Sequence, residues 1–135
     1  MAQVTVTKIV EGQSHLVVRL EFLGDGSGDL NTEVVVSPSD LVPPRANNQP
    51  CFRIMQEWHG LGFDMTFGYG TLQPEAVWTI AKNSGSHTDF RSFGGLRDKD
   101  TVPPGDENGK LWITTSGLVS GLRGSVVLEL RKLNV

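Results

Sequence analysis

The sequence predicts an all-β domain, an antiparallel two-sheet sandwich of jelly-roll type, on three observations. Apolar residues recur at every second position in run after run, the period of a strand with one buried face. The chain's 16 glycines and seven prolines gather largely between those runs. No window of about a dozen residues carries the apolar stripe of an amphipathic helix.

Residues 4–10 open the pattern, with Val4, Val6 and Val10 on one face and Thr5 and Thr7 on the other. In residues 16–22, Leu16, Val18, Leu20 and Phe22 form the apolar face, and Arg19 and Glu21 turn away. Residues 31–36 end in Val34-Val35-Val36, a β-branched run suited to a strand. Phe52, Ile54 and Trp58 then share a face against Arg53 and Glu57. A tight hairpin is expected at Trp58-His59-Gly60-Leu61. Beyond it Leu61, Phe63, Met65, Phe67 and Tyr69 line one face, opposite Gly62, Asp64, Thr66 and Gly68. Val77-Trp78-Thr79-Ile80 suits a further strand. Leu111 and Ile113 oppose Trp112 and Thr114, and Val126, Leu128 and Leu130 oppose Glu129 and Arg131. About eight strands result, at spacings typical of sandwiches and barrels. Turn clusters fall at residues 25–29, 43–48 and 103–109. There is no repeat and no low-complexity segment, so residues 1–135 read as one domain.

Composition narrows the function classes. A chain of 135 residues, 38% of them hydrophobic, buries enough surface to fold without a metal, cofactor or disulfide. The net charge is -3, and Lys and Arg are scattered, so there is no basic patch to displace counterions from nucleic acid. No apolar run approaches the roughly 20 residues that cross a bilayer. Residues 1–10 lack the charged start and apolar stretch of a signal peptide. Cys51 is the single cysteine, which excludes an internal disulfide and fits folding in a reducing cytoplasm.

Several constellations invite a chemical reading. Asp25, Ser27, Asp29 and Asn31 place oxygens at alternate positions as a calcium loop does, but Leu30 and Val36 stand where that loop needs glycine and a bidentate acid. His15, His59 and His87 lie in separate segments without a paired ligand spacing, so no metal site is expected. Ser86, His87 and Asp89 are the residue types of a catalytic triad, yet neighbours on an extended chain alternate faces and do not converge. Glu57 and Asp64 flank the expected hairpin as a glycosidase carboxylate pair would, but acids on the wet face of a sheet are ordinary. Gly94-Gly95 does not join a strand to a helix and so is no phosphate cradle. No catalytic, cofactor or metal residue is expected.

Residues 87–96 are more informative, because they set Phe90 and Phe93 around Arg91 in a stretch with little strand pattern. Phe and Arg are common interface anchors, which makes Phe90, Arg91 and Phe93 candidate contact residues. The alternative is a loop that tucks both rings over one end of the sandwich. Trp112 falls opposite its strand's core face, and an outward Trp is a further candidate contact.

Four segments and a two-part closing pattern carry a resemblance. They are Val4-Thr5-Val6-Thr7-Lys8, the turn from Gly24 to Leu30, Trp58-His59-Gly60-Leu61-Gly62-Phe63-Asp64, the stretch from His87 to Leu96, and the closing stretches 113–117 and 124–132. Together they resemble the small virion structural proteins encoded beside the major capsid protein in tailed bacteriophages. The resemblance implies a non-catalytic particle protein, a capsid decoration or cement protein made in the host cytoplasm and carried in the virion. Its implied partners are the major capsid protein, other virion proteins and further copies of itself, with no nucleic acid or membrane. A head-to-tail connector or tail component is the nearest alternative. From another class, a carbohydrate-binding module would use Trp58, Trp78 and Trp112 to stack on sugars.

Overall fold

The computed structural model describes residues 2–47, 51–70, 74–96 and 109–133. Nine strands run through them: β1 Gln3–Glu11, β2 His15–Leu23, β3 Glu33–Val36, β4 Phe52–Leu61, β5 Asp64–Tyr69, β6 Glu75–Ile80, β7 His87–Asp89, β8 Leu111–Ser116 and β9 Arg123–Lys132. Short 3-10 turns occupy Pro38–Asp40 and Arg91–Phe93. One sheet has the order β1-β2-β9-β4-β7 and the other β3-β8-β5-β6.

The pairing follows one rule from β2 onward. β2 pairs with β9, β3 with β8, β4 with β7 and β5 with β6, each antiparallel. A long ribbon of eight strands, folded first against last and rolled up, gives that set. It also brings β4 beside β9 and β5 beside β8. This is the jelly roll, with β1 added as an outer strand beside β2.

The alternating runs build the core as expected. Leu16, Val18, Leu20 and Phe22 of β2 and Val126, Leu128 and Leu130 of β9 are buried from one sheet. Met65, Phe67 and Tyr69 of β5 and Leu111 and Ile113 of β8 meet them from the other, with Phe63 from the turn before β5. Phe22 and Phe63 join the layers edge to face, 5.4 Å between centroids. Cys51 is buried at the Lys132 end of β4, and burial pushes its thiol up to about 11, so it behaves as a small neutral core residue.

Bulges account for two departures from simple alternation. In β1, Lys8 faces Val18 while Val10 faces Val17, so Ile9 is an extra residue. Val10 therefore lies on the opposite face from Val4 and Val6 rather than beside them. In β4, Ile54 faces Leu130 and Gln56 faces Glu129, which makes Met55 the extra residue. Beyond it Glu57 turns inward and Trp58 outward, the reverse of the expected order. The expected hairpin at residues 58–61 is not there: β4 continues to Leu61 and turns at Gly62-Phe63. The ninth strand, β7, is three residues long, too short for an alternating signal.

Polar groups tie the connections down. Asp29 accepts hydrogen bonds from Thr115 Oγ1 at 3.0 Å, Gly117 N–H at 3.1 Å and Leu118 N–H at 2.8 Å. Those donors, the Leu118 amide foremost, hold its carboxyl below the usual carboxylate range. The loop with calcium-like spacing is thus fastened to the β8–β9 turn. Lys132 is buried, and its ammonium donates to Glu11 Oε2 at 2.7 Å, Gly12 O at 2.8 Å and Val42 O at 3.0 Å. Its three donors meet three acceptors, which is the condition for burying such a charge. The turn expected at residues 103–109 lies, apart from Gly109, outside the described residues.

Candidate functional site

The two ends of the strand order give the sandwich two open sides, and they are finished differently. On the β6–β7 side the chain leaves β7 and folds back over the gap. Phe90 N–H donates to Met55 O at 2.8 Å, and Leu96 exchanges hydrogen bonds with Ile54 at 2.8 and 2.9 Å. The excursion between them spans the β4 bulge. Gly95 has a φ of +91°, and a Cβ there would stand 2.7 Å from Met55 Sδ, so only glycine fits the turn against the bulge.

That excursion disposes of Phe90 and Phe93 in opposite ways. Phe90 is 1% exposed and packs edge-on against Trp78 of β6, 4.8 Å between centroids. It seals the edge of the core and is not available as a contact anchor. Phe93 is 63% exposed, resting its edge on Phe90 at 5.9 Å. Arg91 is also exposed. Its Nε and Nη2 reach the Asp89 carboxylate at 3.0 and 2.7 Å, and Asp89 Oδ1 accepts Arg91 N–H at 2.9 Å. These bonds from Arg91 hold the Asp89 carboxyl at about 2. The expected contact loop is therefore half structural and half presented.

Next to it, the outer face of the five-stranded sheet adds Trp58, which the alternation sets on one face with Phe52 and Ile54. Trp58 is 38% exposed and stacks on His87, its cross-strand partner, at 5.1 Å and an interplanar angle of 11°. His87 Nε2 lies 3.0 Å from Gln56 Oε1, and Gln56 Nε2 donates to Glu129 at 3.4 Å. Gln56 pairs with Asp89 across the strands, so Trp58, His87, Asp89 and Arg91 form one connected patch along β7, and Phe93 projects from the turn that follows it. It has aromatic and charged groups of both signs and a projecting apolar knob, the composition of a protein contact.

Trp112 is not part of this patch. It lies on the outer face of the second sheet, as the alternation predicts, but is only 5% exposed. Gly68 of the neighbouring strand leaves room for its indole to lie flat on the sheet. The expectation of an exposed contact Trp is corrected: the missing side chain at Gly68 turns an outward position into a covered one. Its Nε1 has no hydrogen-bond partner among the described residues.

Beneath the patch, the inward turn of β4 buries Glu57 completely. Its oxygens lie 2.9 and 2.7 Å from His59 Nδ1, and His59 Nε2 lies 2.6 Å from Ser84 O. A carboxylate and a carbonyl only accept, so both ring nitrogens face acceptors. The unit is satisfied by an imidazolium between them, or by a neutral imidazole beside a protonated Glu57. Either form clamps the β6–β7 loop onto β4. Glu57 is thus removed from Asp64, which instead accepts Lys82 N–H at 2.7 Å, and the two do not face each other as a catalytic pair. Nor do Ser86, His87 and Asp89 converge: His87 turns to Gln56 and Asp89 to Arg91. His15 bonds its neighbour Ser14 at 2.8 Å, so the three histidines stay apart. Among the described residues no group of three His, Cys, Asp or Glu side chains is placed to hold a metal ion.

Comparison with protein-family models gives no match, and comparison with curated proteins gives none either.

Proposed function

We propose that this chain is a non-enzymatic structural protein of a tailed-phage virion, a decoration or cement protein that binds the assembled capsid and stabilises it. The observation that carries the reading is the disposition of its polar and aromatic groups. Glu57, His59, Asp29 and Lys132 are consumed in fastening loops to strands, while Arg91, Phe93 and Trp58 are presented together along β7. Such a molecule works through a surface. The jelly roll suits the role, being an architecture of capsid and lectin domains, and the sequence resemblance points the same way.

In this reading the β7 patch meets the major capsid protein. Each contact is modest, and self-association makes attachment multivalent, which raises avidity without a new contact. Binding to the assembled shell and not to free subunits then favours assembly by mass action. The test is to add purified protein to shells lacking it. Binding with raised heat resistance is expected; no binding, or unchanged heat resistance, overturns the proposal.

A head-to-tail connector or tail component would use the same kind of surface at lower copy number. The carbohydrate-binding reading is weakened by particular side chains. Trp112 is covered, Trp78 packs against Phe90, and one face of Trp58 is occupied by His87.

A further inference from the structure

Opposite the sealed side lies the β1–β3 side, where two strand edges flank an unfilled groove. Val6, Val18, Val35 and Val36 line it between Lys8 and Asp40, and Val4, Leu30 and Glu33 line a second hollow beside β1. Among the described residues β1 pairs with β2 alone, so its other edge offers unpaired backbone groups to solvent.

Among the described residues the sandwich has four such strand edges, and three carry the devices that discourage pairing. β7 is three residues long and is followed by the excursion from Phe90 to Leu96. β3 has four residues, begins with Glu33 and is bulged at Val35. β6 begins with Glu75 and is bulged at Val77. β1 is nine residues long, and its own devices, Lys8 and the Ile9 bulge, begin only at its sixth residue. Its first five residues, Gln3-Val4-Thr5-Val6-Thr7, are uncharged, unbulged and strictly alternating.

That stretch is complementary to itself. Antiparallel pairing about Thr5 sets Val4 opposite Val6 of a second copy and Gln3 opposite its Thr7, with Thr5 facing Thr5. The apolar pair falls on the groove side and the polar pairs on the solvent side, so each face matches like with like and no charges of one sign oppose. The register ends where Lys8 and the bulge begin. We propose that two copies of this chain pair through residues 3–7 of β1 about a twofold axis through Thr5, joining their five-stranded sheets into one. A closed twofold contact of this kind stops at a dimer. The inference rests on the reading above only for its purpose, to supply divalent attachment, and the isolated protein tests it.

The experiment is sedimentation analysis of the purified chain beside Thr5→Lys and Thr5→Glu. Thr5 is exposed, so both variants should keep the parent's circular dichroism and melting behaviour. The parent is expected at twice the chain mass and each variant alone at the monomer mass. An equimolar mixture of the two should return to the dimer, since the charges then oppose across the axis. A monomeric parent, a variant that stays dimeric, or a mixture that stays monomeric overturns the pairing. Shell binding by a monomeric parent would leave the decoration reading standing.

Discussion

Trp112 lies across Gly68: a Cβ built on that glycine would stand 2.1 Å from the indole Cζ2 and 2.5 Å from Glu75 O. The large side chain on β8 and the absent one on β5 are a single packing unit. Gly68→Ala is therefore expected to cost about 1–3 kcal/mol, the range of an overpacked site. In a Trp112→Phe background the same change should cost less, since the smaller ring leaves space. Denaturant unfolding of the four proteins gives the cycle, and equal costs in both backgrounds would contradict the contact.

The pairing of Glu57 with His59 gives a second cycle. His59→Ala leaves a buried carboxyl without its partner and is expected to cost about 3–5 kcal/mol. Glu57→Gln should cost far less, because the amide can donate to Nδ1 of a neutral imidazole whose Nε2–H still reaches Ser84 O. Adding Glu57→Leu to His59→Ala should recover stability. Were Glu57→Gln as damaging as His59→Ala, the hydrogen-bond assignment would be wrong.

Acid should weaken the fold through Glu11. Burial raises its carboxyl, but hydrogen bonds from Lys132, Lys8 and the Val42 N–H outweigh that and hold it at about 2, against a usual 4.5. A lowered folded-state value means that the contribution is full above pH 4.5. It declines as pH falls through the window from 4.5 to 2, where the unfolded chain binds the proton first, and is gone below it. Asp29 acts in the same direction. Glu11→Gln should be less stable than the parent at neutral pH, with the gap closing across that window. A gap that persisted unchanged at pH 2 would contradict the assignment.

How much of this was legible in the sequence depends on where the alternation runs unbroken. Leu16 to Phe22 and Val126 to Leu130 keep one parity and were assigned correctly. β4 was not, because Met55 inserts a residue. The signal was present as a conflict, since Ile54 and Leu61 are both core residues yet differ in parity along one extended run. A bulge or a turn between them resolves it equally well; a turn puts Glu57 on the wet face and Trp58 with the core residues, and the structure has the bulge instead. Trp112 failed for a different reason: alternation gives the face of a side chain but not whether a glycine next door lets it lie down.

The split within residues 90–93 yields a prediction for binding. Phe90→Ala removes a core ring and is expected to cost about 3–5 kcal/mol. Phe93→Ala and Arg91→Ala should change stability by no more than about 0.5 kcal/mol, while weakening attachment to shells. Thermal melts and shell co-sedimentation read the two effects apart, and full attachment by a Phe93→Ala, Arg91→Ala double variant would remove the β7 patch from the account.

The central claim, the proposed capsid decoration, is tested most directly by quantitative mass spectrometry of purified virus particles from cells that produce this chain, counting its copies against the major shell protein. The account predicts a ratio near that of the shell subunit. A single ring's worth per particle would place the chain at the connector or tail, and its absence from the particle would contradict the virion assignment altogether.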